Sequence, residues 1–184
     1  MDFGDNWNYF TGTDWFFNET KLATQFFNAS VIATVTGTPQ GAIEDIRSYN
    51  LIPYNVSEDA SDLLLAVNFT GITDFNNLII RYKSEEEDEP HIMAVQIYDY
   101  SDSDWEDYGT LPTNAVYQVV HFGVYDASEH IDGGIVQVRF YQDGGTPPRT
   151  HKHLFDWVTI SLGYGAPAQD EVDPIFFDWF ELKL

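Results

Sequence analysis

Between Asn77 and Leu162 apolar and polar residues alternate, one short run after another, with acidic turns between the runs. Val136, Val138 and Phe140 share one parity; Gln137, Arg139 and Tyr141 share the other. The run from Ser61 to Gly71 repeats the pattern, with Leu63, Leu65, Val67 and Phe69 on one side. A period of two is that of a strand with one face in a core and one in water, whereas a helix needs a period of 3.6. The pattern therefore predicts an all-β chain, an antiparallel β-sandwich of two sheets, with less than about a tenth of its residues helical.

The other segments read less evenly. Residues 1–30 are an aromatic arm, in which DWFFNETKLATQFF suits either a short helix or two strands. Residues 31–163 form the sandwich. The stretch GAIEDIRSYNLIPYN, from Gly41, reads as one or two strands, with Pro53 suggesting an edge. Ser84 to Pro90, SEEEDEP, is a solvated loop. Residues 164–184 are a connector and an extra C-terminal strand. LFDWVTISL (154–162) and FFDWFELKL (176–184) align without a gap, and strict alternation puts Asp156 on the apolar face with Leu154, Val158, Ile160 and Leu162. Trp157, of the opposite parity, is expected on an outer face or in an interface. Phe176, Phe177, Trp179 and Phe180 make the last strand apolar on both sides. A strand with one wet face should not be, so these residues are expected in an interface, with a second subunit or with the arm.

Charge excludes several functions. Thirty Asp and Glu face eight Lys and Arg, a formal net charge of −22. Such a chain does not neutralise nucleic-acid phosphates and is repelled by anionic membranes. No apolar run is long enough to insert into a membrane. An acidic, lysine-poor surface suits a high-salt, halophilic habitat, where ions screen self-repulsion. There is no cysteine, hence neither a disulfide nor a thiolate metal site. The opening MDFGDNWNYF has no basic start and no apolar core, and reads as no secretory signal.

Three groups of residues suggest chemistry. Asp99, Asp102, Asp104 and Glu106 crowd the turn YDYSDSDWEDYG, and with Asp156 they are candidate calcium ligands, since calcium takes six to eight oxygens. No cofactor beyond calcium is expected. His151 and His153 would share one strand face, as a zinc or nickel pair would, but no third ligand is marked. Trp105 and Tyr108, in an acidic aromatic stretch, are candidate carbohydrate-binding residues, because flat rings accept the C–H faces of sugars while nearby polar groups fix the hydroxyls. Sequons begin at Asn18, Asn28, Asn55 and Asn68. The nucleophile-elbow, zinc-protease, phosphate-loop and dinucleotide motifs are all missing, so no enzymatic activity is expected.

Three stretches carry a family resemblance, over roughly Gly41 to Gly163. They are IYDY with SDSDWEDYG, then DGGIVQVRFY, then LFDWVTISLG. The chain resembles the carbohydrate-binding-module and galactose-binding-like jelly-roll sandwiches, including those in structural proteins of tailed viruses. The resemblance implies a jelly roll, and places Asp156 of the closing strand near a structural calcium. It also implies a non-enzymatic virion protein, a capsid-decorating or tail-associated subunit assembled in the host cytoplasm. Its partners would be itself, as a homo-oligomer, other virion subunits, or a cell-surface glycan. The alternative is an extracellular, free-standing carbohydrate-binding module or lectin; a glycan-active enzyme is the weaker third reading.

Overall fold

The computed structural model describes residues 25–59, 62–85, 92–142 and 151–163. The described residues form strands β1 (Gln25–Asn28), β2 (Val31–Thr36), β3 (Thr38–Gln40), β4 (Tyr54–Ser57), β5 (Leu63–Thr70) and β6 (Asn77–Ser84). They continue with β7 (Ala94–Asp99), β8 (Asp104–Thr110), β9 (Gln118–Gly123), β10 (Ile135–Gln142) and β11 (Lys152–Leu162). Two antiparallel sheets result. One runs β2-β5-β10-β7-β8; the other runs β3-β4-β11-β6-β9, with β1 also paired to β11. The expected all-β sandwich is what forms.

Alternation explains why the sheets stack. Leu63, Leu65, Val67 and Phe69 of β5 and Val136, Val138 and Phe140 of β10 have no exposure, while the residues between them are half-buried or exposed. From the other sheet, Leu78, Ile80, Phe155, Val158 and Ile160 meet them. Phe140 and Phe155 touch across the gap, with ring centroids 4.8 Å apart. Fully burying a side chain of this size contributes about 1.5–3 kcal/mol.

Two local readings need correction. The segment after Gly41 is not a strand at its start: Ile43–Ile46 is a 3₁₀ turn, and only Tyr54–Ser57 is extended. Asp45 Oδ2 accepts the Ala42 N–H at 2.7 Å, and Ile46 plugs into the core. In β11 the register with β6 shifts between Phe155 and Trp157. Asp156 is the extra residue of a β-bulge, which reverses parity on either side of it. His153 and Phe155 therefore face inward before the bulge and Val158 and Ile160 after it, while Leu154 turns outward. Asp156 does not join the apolar face. Trp157 lies on the outer face as expected, 5.6 Å from the ring of Phe26 on β1.

β1 belongs to the six-stranded sheet, so the sandwich takes in residues that the sequence reading gave to the arm. Gln25 pairs with Leu162. Beside that pair, Asn76 brackets Gly163: its Nδ2 donates to the Gly163 carbonyl at 2.6 Å, and its Oδ1 accepts the Gly163 N–H at 3.0 Å.

Candidate functional site

The outer face of the five-stranded sheet carries an ordered set of polar and aromatic side chains. Register aligns one row across all five strands: Ala33 opposite Ala66, Ala66 opposite Arg139, Arg139 opposite Gln96, and Gln96 opposite Asp107. Four inter-strand steps make the row about 19 Å long. Its β2–β5 half is floored by two methyl groups. Asn68 paired with Val31, and Leu64 beside Tyr141, stand higher on its two sides. The row thus runs from a low apolar end to a polar, aromatic one.

At that end the side chains hold one another. Gln96 Nε2 donates to Asp107 Oδ1, and Arg139 Nε donates to Gln96 Oε1. The Arg139 guanidinium lies over the Trp105 ring, 4.3 Å from its centroid, and 5.3 Å from that of Tyr141. Burial lowers the Arg139 pKa, and Tyr141, Asp104 and Asp107 oppose that shift. Tyr98 meets both Trp105 and Tyr100 edge-on, at 5.2 and 5.0 Å. Gln137 Nε2 donates to the Tyr100 hydroxyl at 2.9 Å. Flat rings, amides and a carboxylate side by side are the groups that bind sugar C–H faces and hydroxyls.

Of the two candidate sugar-binding rings, Trp105 lies on this outer face beside Tyr98, and Tyr108 faces the core. Three residues apart on one strand, they face opposite ways. Tyr108 packs against the core, its hydroxyl 2.6 Å from Nε2 of the buried His130. His130 Nδ1 is 3.0 Å from the Tyr98 carbonyl, which can only accept, so Nδ1 carries a proton. Burial, reinforced by Glu106, raises the Tyr108 hydroxyl pKa well above its ordinary value. Tyr108 borders a cleft of about 490 Å³ with Glu106, Tyr125, Asp126 and Glu129 at the β8 edge, which adjoins the row at Asp107. Arg139 and Gln96 were missed as site residues; the available signals were the parity of Arg139 with Tyr141 on β10 and of Gln96 with Tyr98 on β7.

The five candidate calcium ligands are not brought together. Asp99 Oδ1 accepts the Ser101 N–H at 2.6 Å, the Ser101 hydroxyl at 2.7 Å and the Asp102 N–H at 3.1 Å. The Ser101 hydroxyl, with these amides, lowers the Asp99 pKa. This carboxylate ties its own turn. Asp102 is exposed, Asp104 accepts the Trp105 N–H, and Glu106 lies 3.2 Å from His130 Nε2. Asp156 lies in the other sheet, with no exposure, its Oδ2 2.7 Å from Arg81 Nη1. Among the described residues no group of three His, Asp or Glu side chains is arranged to hold a metal ion.

His151 and His153 do share a face, and it is the inner one. His153 bridges Tyr82, whose hydroxyl is 2.6 Å from Nδ1, and Glu58, whose Oε1 is 3.0 Å from Nε2. All three are buried, so the cluster closes the end of the core. The expected interface residues Phe176, Phe177, Trp179 and Phe180, like the sequon at Asn18, lie outside the described residues.

No family model and no curated protein sequence matches the chain. Solved structures do. A family 29 carbohydrate-binding module, an alanine variant made to probe ligand recognition, superposes with a TM-score of 0.53 at 14% identity over 89% of this chain and all of that one. Another variant of the same module, solved in complex with cellulohexaose, gives 0.51 at 15% identity over 82% of this chain and 98% of that one. The fold is that of a carbohydrate-binding module. Among the described residues no helix is long and apolar enough to cross a membrane.

Proposed function

We propose that this chain is a non-enzymatic carbohydrate-recognition module that holds an oligosaccharide across the outer face of its five-stranded sheet. The observation that carries the reading is the cross-strand row from Ala33 to Asp107, with Trp105, Tyr98 and Tyr141 beside its polar end. A row about 19 Å long suits a stretch of several sugars better than a single terminal one. The carbohydrate-binding-module fold supports the same reading. The face would serve a free module and the receptor-facing surface of a virion subunit alike.

Screening the full chain against immobilised plant, microbial and animal glycans, then titrating the best binder by calorimetry, tests the reading. Trp105→Ala should weaken binding about thirtyfold, since removing a central aromatic anchor costs about 2 kcal/mol. Tyr125→Ala, in the cleft and 73% exposed, should leave affinity near wild type. No glycan bound, or binding indifferent to Trp105, would refute it.

A further inference from the structure

Trp105 does not stand free on the sheet. Its backbone N–H is tied to Asp104 Oδ1 at 2.7 Å, Tyr98 abuts its ring at an interplanar angle of 70°, and Arg139 lies over one of its faces. Arg139 is itself fixed. Its Nε–H goes to Gln96, whose amide goes on to Asp107, and Tyr141 flanks it on the far side.

We propose that Arg139 is a positioning residue: it clamps the indole of Trp105 through one face, so that a glycan meets only the opposite face and the guanidinium itself does not meet the sugar. The inference rests on the carbohydrate reading above. A large side chain on an exposed sheet face otherwise samples several rotamers, and the ligand would have to offset the cost of ordering it. Stacking on the ring while Nε–H donates sideways requires a planar guanidinium; an ammonium is a point charge that cannot do both. The opposite sheet uses the same device where the cation is almost wholly covered. There Arg81 sits 4.3 Å from the Tyr49 centroid and 4.0 Å from that of Tyr117, its charge met by Asp156.

The decisive variant is Arg139→Lys, made in the wild-type and in a Trp105→Phe background. Near-ultraviolet circular dichroism without ligand is read beside affinity for the best glycan of the screen. In the wild-type background the variant should keep the far-ultraviolet spectrum, change the indole signal, and bind about tenfold more weakly, the loss of one partly desolvated cation–π contact. With Phe at 105 it should change neither the indole signal nor the affinity further. Gln96→Ala, which frees Nε, should move the indole signal in the same sense, and stands in if the lysine variant does not fold. An unchanged indole signal would overturn the clamp, as would an equal loss of affinity in both backgrounds, which marks direct contact with the sugar. If no glycan binds the wild-type chain, the carbohydrate reading fails, and the ligand-free indole signal alone decides the clamp.

Discussion

A carboxylate with no exposure must be compensated, and Asp156 is compensated by Arg81 at 2.7 Å. Burial raises its pKa while Arg81 draws it back down. Above them the 47–52 segment holds Leu51 at φ +64, unusual for a branched residue, and places the Tyr49 ring over the guanidinium. Breaking one side of a buried pair strands the other charge. Asp156→Ala should therefore lower unfolding free energy by about 3–5 kcal/mol in urea titration, whereas Arg81→Met combined with Asp156→Leu should recover most of that loss. Equal losses in the single and double variants would mean that packing, not charge, dominates here. These residues also show where reading a sequence stops. Residues 154, 156, 158 and 160 look like one unbroken face, because a bulge leaves no mark on strict alternation. The separation of Trp105 from Tyr108 was legible, since an odd spacing on a strand means opposite faces. That Arg139 stacks on Trp105 was not, since it depends on which strands become neighbours.

At the scale of elements, the sandwich turns on short joints. Gly37 passes the chain from β2 in one sheet to β3 in the other, at φ +110. A Cβ there would sit 2.8 Å from the Ser57 carbonyl oxygen, a backbone atom that cannot swing away. Gly37→Ala should cost about 1–3 kcal/mol, seen as a lower denaturant midpoint with an unchanged slope. A midpoint equal to wild type would show that the joint relaxes. The long strands β5 and β10 could be read in advance because each alternates without a break, whereas in β11 only the strand itself, and not its faces, was readable. The three-residue β3 and the turn at Ile43–Ile46 offer no period at all, and Asp45 capping Ala42 decides that turn locally.

Over the whole molecule, 30 acidic residues against 8 basic ones set a repulsion that packing must exceed. Screening is strong above about 0.1 M salt, where the Debye length falls to about 10 Å. The melting temperature should therefore rise from low to high sodium chloride, and calcium at matched ionic strength should add nothing further, given the dispersal of its candidate ligands. A calcium-specific rise would point to ligands outside the described residues; a flat salt response would show that the surface charges lie too far apart to matter. The two-sheet architecture was readable from period and turn spacing, but strand order was not, because it is set by pairings between residues as distant as Gln25 and Leu162. That pairing also has a mechanical meaning. Gln25 and Leu162, near the two ends of the described sandwich, face each other across a single rung of an antiparallel ladder. Tension applied at these two residues would peel β1 from β11 one rung at a time from that end, instead of shearing all the rungs together. The bracket that Asn76 makes around Gly163 sits where β11 would begin to feel the load, and the row from Ala33 to Asp107, on the other sheet, stays out of its path.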